Sequence, residues 1–142
     1  MEQINLYVHT DIRGNKAVAG HFIYVLEFMT KRGPATLTAK EEVRECTSKK
    51  AELRAINSAL KRLTKPCAVF IHCENINLLA AIQNKWYRKW EEDGWKNSRG
   101  LEITDAEEWK EFSGLMKVNE LLGAAKHDHS YLGWMVSECE KE

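Results

Sequence analysis

The stretch from Cys67 to Asn75, "CAVFIHCEN", decides how the rest of this chain is read. Its apolar, β-branched and aromatic residues form the pattern of a buried strand, and the run stops on an acid, Glu74. What comes before it sets the topology. In "TSKKAELRAINSALKRL" (47–63) the hydrophobic period becomes helical, with Leu53, Ile56, Leu60 and Leu63 on one stripe and Thr47 or Ser48 as the N-cap. Glu52 falls beside that stripe, four residues before Ile56. Pro66 ends the helical segment, so the strand at 67–73 follows a crossover.

Outward toward the N-terminus, "INLYVHT" (4–10) alternates apolar Ile4, Leu6 and Val8 with other residues, as a strand does, and Asp11 stands at its end. "IRGN" (12–15) carries turn residues, and "AVAGHFIYVLEFMT" (17–30) reads as a second strand, closed by Gly33-Pro34. "ATLTAKEEVREC" (35–46) is more polar and fits an edge strand. Toward the C-terminus, "INLLAAIQNKWYRKWEEDGWK" (76–96) predicts one or two helices closed by Gly94. "DAEEWKEFSGLMKV" (105–118) predicts a helix capped by Asp105, "ELLGAAKH" (120–127) a fifth strand, and "SYLGWMVSECEKE" (130–142) a terminal helix. Three strands, a helix and a returning strand imply an α/β fold with a mixed sheet, in which ligands gather where strand ends meet crossover connections. Asp11, Glu52 and Glu74 all fall at such places.

The 142 residues, 44% of them hydrophobic and 30% charged, suit one globular domain over 1–142. Lys plus Arg and Asp plus Glu balance at 21 each, so a polyanion must be met by a local basic patch instead of overall charge. No run approaches about 18 apolar residues, and the start "MEQINLYVHT" lacks a charged lead and a long apolar core. A cytoplasmic protein without a membrane segment is expected. The four cysteines include no C-x-x-C pair, as fits reduced thiols.

The order "YVHTDIRGN", "TSKKAEL", "VFIHCEN", "KWYRKWEEDGWK" resembles the type 1 branch of the ribonuclease H family. That family places an Asp at the end of the first strand, a Glu on the first helix, an Asp at the end of the fourth strand, then a tryptophan-bearing handle and a late His. The resemblance implies a ribonuclease H-like mixed five-stranded sheet, three antiparallel strands then parallel ones, flanked by helices. It implies a metal-dependent endonuclease that hydrolyses the RNA strand of RNA/DNA hybrids by a two-metal-ion mechanism, with Mg²⁺ or Mn²⁺ as cofactor. Asp11, Glu52 and Glu74 would be catalytic metal ligands, because in-line phosphodiester hydrolysis needs an activated water and a stabilised leaving oxygen. His127 or His129 would move a proton or help product leave. Asn15, Thr47, Ser48 and Lys49 would contact the sugar-phosphate backbones, and Trp86 and Trp90 would serve substrate in the handle. The expected state is a monomer.

Two departures stand out. Glu74 replaces an Asp, and the added methylene displaces the carboxylate by about an ångström. Met135 lies near the place of the family's fourth acid, with Asp128 and Glu138 to either side of it. The alternative reading is therefore a catalytically weakened or inactive nucleic-acid-binding module.

Overall fold

The computed structural model describes residues 1–126 and 129–141. The elements run β1 (Glu2–Thr10), β2 (Val18–Thr30), β3 (Gly33–Cys46), α1 (Ser48–Leu60), β4 (Cys67–His72), α2 (Ile76–Gln83), α3 (Trp86–Glu92), α4 (Ala106–Leu115), β5 (Glu120–Ala125) and α5 (Leu132–Glu140). The strands form one sheet in the order β3-β2-β1-β4-β5. The first three are antiparallel neighbours, and β4 joins β1, and β5 joins β4, in parallel. The crossover through α1 makes this arrangement possible, since parallel neighbours cannot be joined by a tight turn.

Alternation along the strands sorts their side chains between two layers. Ile4, Leu6 and Val8 of β1, with Phe22, Tyr24 and Leu26 of β2, face the larger core built with Leu53, Ile56 and Leu60 of α1 and Trp109 and Phe112 of α4. Tyr7, Ile23 and Val25 point the other way, where Met135 and Cys139 of α5 cover them. Met135 is fully buried there, so the residue near the expected fourth acid is a packing residue on the second face.

Local chemistry accounts for most element ends. Thr47 caps α1, its Oγ1 accepting from Lys50 N at 3.2 Å, and Asn75 caps α2, its Oδ1 accepting from Leu78 N at 2.9 Å. Asp105 precedes α4 but makes no side-chain cap bond, which corrects the expectation. Its backbone is left-handed, with φ of 59°, a conformation Asp tolerates but one unlike the extended N-cap that aims the side chain back at the helix. The β2–β3 turn falls at Lys31-Arg32, and Pro34 lies inside β3, an edge strand where its missing N–H is tolerated. All four cysteines are free and buried.

Candidate active site

The parallel register of β1 and β4 builds the site. Tyr7 pairs with His72, so continuing both chains by two residues sets His9 beside Glu74. His9 Nδ1 lies 3.0 Å from Glu74 Oε1, and the imidazole is almost fully enclosed, its side chain 5% exposed. From the opposite side α1 contributes Glu52, which is buried. Its Oε1 accepts from Glu74 N at 2.6 Å and its Oε2 from Asn75 N at 2.9 Å. Asn75 also donates from Nδ2 to Ser48 Oγ at 3.1 Å, and Ser48 N donates to Gly14 O at 3.1 Å, tying the start of α1 to the β1–β2 turn.

Burial and hydrogen bonding act in opposite directions on the two acids. Desolvation pushes the Glu52 carboxyl up to about 7, against the lowering by the two amide N–H groups that bind it. The hydrogen bond from His9 holds Glu74 below the usual carboxylate range, helped by the charges of His9, Arg13 and Lys126. Glu52 and Glu74 line a cavity of about 230 Å³ with Arg13, Ser48, Asn75 and Lys126. A neighbouring cavity of about 480 Å³ joins Glu74, His9, Arg13 and Lys126 to His72, His129, Leu132 and Val136.

Asp11 is not brought to this junction. Past the end of β1 it continues the antiparallel hairpin instead: Oδ1 accepts from His21 N at 2.7 Å and Oδ2 lies 2.9 Å from His21 Nδ1. It lines a separate hollow with Val18, Gly20, Glu42 and Arg44. Two β1 residues reach the junction in its place: Thr10 lines the smaller cavity, and His9, not among the expected site residues, bonds Glu74 from the larger one. The available signal for His9 was its place two residues before Asp11 on the same strand face. The last helix presents Leu132 and Val136 to the larger cavity. Glu138 turns away, its Oε1 accepting from Lys141 Nζ at 2.6 Å. His127 and Asp128 lie outside the described residues.

Of the residues expected to touch substrate, Thr47 is occupied as a cap, Ser48 lines the smaller cavity, Asn15 is exposed on the turn and Lys49 is half-buried on α1. Trp86 is 46% exposed on α3. Trp90 packs against Trp109 with ring centroids 5.2 Å apart, as part of the main core's rim.

The two acids that meet at this junction are donors of the kind a hard divalent cation takes. Glu52 and Glu74 offer hard oxygens, each with acceptor capacity beyond its present partner, and Mg²⁺ commonly takes one or two carboxylates plus waters and substrate phosphates. Among the described residues no three His, Cys, Asp or Glu side chains are gathered to hold a metal.

The RNase H family model matches residues 2–125 of this sequence. The chain belongs to the RNase H family. Its curated relatives include ribonuclease H of Caldicellulosiruptor saccharolyticus, 31% identical over 84 residues that cover 59% of this chain and 58% of that one. Ribonuclease H of Clostridium botulinum is 25% identical over 132 residues, covering 92% and 86%. The matches to the first two relatives thus span under two thirds of their length, 58% and 59%. In fold the chain resembles LC9-RNase H1, described as a type 1 RNase H with the type 2 active-site motif, with a TM-score of 0.75 at 14% identity over 97% of this chain and 70% of that one. It also resembles the foamy viral protease-reverse transcriptase in complex with RNA/DNA hybrid, with a TM-score of 0.67 at 14% identity over 97% and 19%. The observed five-stranded mixed sheet is that of the RNase H fold.

Proposed function

We propose that this chain is a divalent-metal-dependent endonuclease that hydrolyses the RNA strand of RNA/DNA hybrids. The observation that carries the reading is the meeting of Glu52 and Glu74 at the α1/β4 junction, beside Arg13 and Lys126, in a chain of the RNase H family. Relatives named ribonuclease H, and a neighbour of the same fold in complex with a hybrid, support it.

Arg13 and Lys126 attract the phosphate backbone to the cavity mouth. Glu52 and Glu74 are the residues that would hold Mg²⁺ or Mn²⁺, and the bond to His9 orients Glu74. A cation held there would supply water activation and would offset charge developing on the phosphoryl oxygens. His129, on the wall of the larger cavity, is the histidine placed to transfer a proton. Ser48 and Asn15, on either side of the turn tied to α1, contact the sugar-phosphate backbones. The two-ion mechanism implied by the family resemblance further requires Asp11 to leave His21 for a second cation.

The test is cleavage of an end-labelled hybrid in Mg²⁺ or Mn²⁺, with Glu52→Gln as the control. Products with a 3′-hydroxyl are expected, and cleavage no greater than that of the control overturns the reading. A hybrid-binding module of weakened or lost activity is the second reading. It is favoured by the Asp11–His21 pairing and by the apolar Leu132 and Val136 that α5 turns to the cavity. Hybrid binding without metal-dependent turnover would select it.

A further inference from the structure

The second face of the sheet carries a polar and aromatic cluster that reaches the larger cavity. Glu27, near the end of β2, is the cross-strand partner of Asn5 on β1. Its carboxylate accepts from Tyr131 Oη at 2.5 Å and from Asn5 Nδ2 at 3.1 Å, and Tyr7 Oη lies 3.5 Å away. Asn5 Oδ1 in turn lies 3.2 Å from His72 Nε2. Above this base the rings gather on Tyr7. His72 stacks on it with centroids 4.2 Å apart and planes 14° apart, His129 lies 4.4 Å away and Tyr131 5.0 Å away. Tyr131 N also donates to His129 Nδ1 at 3.3 Å. His129 therefore reaches the cavity wall shared with His9 and Glu74 by resting on a ring whose neighbours are bolted to Glu27.

We propose that Glu27 is a positioning residue: by binding Tyr131 it closes the ring cluster that holds His129 at the cavity beside Glu74. A carboxylate suits the task because its two oxygens accept from several donors at once, and such charge-assisted bonds are stronger than neutral ones. Tyr131 stays a donor throughout the ordinary pH range, since the bond to Glu27 pushes its phenol up to about 12. Tyr7, buried between sheet and rings, has little freedom of its own. The chain of contacts thus converts one ion on an early strand into the placement of a residue near the far end of the chain. The assignment of a use to His129 rests on the endonuclease reading, whereas the clamp itself rests on geometry.

The experiment has two arms, on wild type, Tyr131→Phe, Glu27→Ala and Glu27→Gln. In the first, histidine ring resonances are followed by NMR in ¹³C,¹⁵N-labelled protein, with His129 assigned by its loss in His129→Ala. Packing against the tilted Tyr7 ring, 4.4 Å away, is expected to displace the His129 ring protons in wild type. Tyr131→Phe and Glu27→Ala should return them toward unstructured values while His21, on the remote hairpin, is unmoved. Glu27→Gln, which keeps one acceptor oxygen, should retain most of the displacement. His129 resonances identical in wild type and in folded Tyr131→Phe overturn the proposal. In the second arm, hybrid cleavage by Tyr131→Phe and Glu27→Ala should lose on the order of tenfold in kcat at near-constant KM, with partial rescue in Glu27→Gln. A loss confined to KM also overturns it. Absence of cleavage in wild type overturns the endonuclease reading instead, and the resonances alone then decide the clamp.

Discussion

Asp11 and Glu74 each stand just past a strand, each has a carboxylate oxygen about one hydrogen bond from a histidine Nδ1, and their side chains are 33% and 39% exposed. Their surroundings differ all the same. The imidazole beside Glu74 is only 5% exposed and that beside Asp11 is 30% exposed. Glu74 also meets a second acid through its own backbone N–H, and Asp11 meets the next strand of a hairpin. The cause is sheet register. β1 pairs with β4 up to Tyr7 and with β2 up to Thr10, so its last residues leave the parallel neighbour and follow the antiparallel one. Two residues of strand, roughly 6.6 Å at the usual rise, separate an acid at the junction from an acid on the rim.

The largest expected effect tests that separation directly. Glu52→Gln should lower hybrid cleavage on the order of 10²- to 10³-fold, the scale of losing one preorganised group at a reacting centre, and Asp11→Asn far less. Equal losses, measured as kcat/KM in Mg²⁺, would break the comparison and show that Asp11 leaves His21 for a second ion.

Next in size is a pH dependence peculiar to the junction. The Glu52 carboxyl sits at about 7 in the fold against an ordinary 4.5. Its protonated form therefore stabilises the fold fully below about pH 4.5, and that contribution is lost as pH rises through about 7, a total on the order of 3 kcal/mol. Thermal melts from pH 4.5 to 8 should show wild type losing stability relative to Glu52→Gln; parallel curves would mean that Glu52 is better solvated than its 2% exposure implies.

A third test moves an acid to where register places the side chain. His9→Asp sets a carboxylate beside Glu74 and Glu52, and Mg²⁺ affinity by calorimetry should rise about tenfold, or 1.4 kcal/mol. The same variant should melt lower than wild type without cation, through like-charge repulsion, and recover when Mg²⁺ is added. His21→Asp, on the rim beside Asp11, should change Mg²⁺ affinity less.

The smallest effect concerns the scaffold of the junction. Asn75→Ala removes the α2 cap and the bond to Ser48, and should cost about 1 kcal/mol, read as a fall of about 3 °C in Tm. Asp11→Asn, on an exposed pair, should stay within about 0.5 kcal/mol of wild type in the same melt. A larger loss at Asp11 would make the hairpin mouth a structural element in its own right.

Much of this was written in local sequence. Periodicity alone separates "INLYVHT" from "AELRAINSALKRL" and predicts both β1 and α1, because alternation and helical spacing are properties of a few neighbouring residues. The edge position of β3 follows from its polar composition, and β5 was visible in "ELLGAA". Glu52 and Glu74 were legible as strand-end and helix acids, and the fold does bring them within one hydrogen-bonded unit. Asp105 was misread because a cap depends on backbone dihedrals as well as residue type.

His9 was not legible, and neither was the clamp of Glu27 and Tyr131, whose partners are 104 residues apart. The amino-acid sequence by itself determined the elements, their order and the acids at their ends, since these arise from short-range sterics and hydrophobic period. Only the tertiary structure decided which end of β1 faces β4, which histidine meets Glu74, and that α5 turns Leu132 and Val136 toward the cavity. Strand register is a contact between distant segments, and shifting it by two residues leaves the local pattern of each strand unchanged.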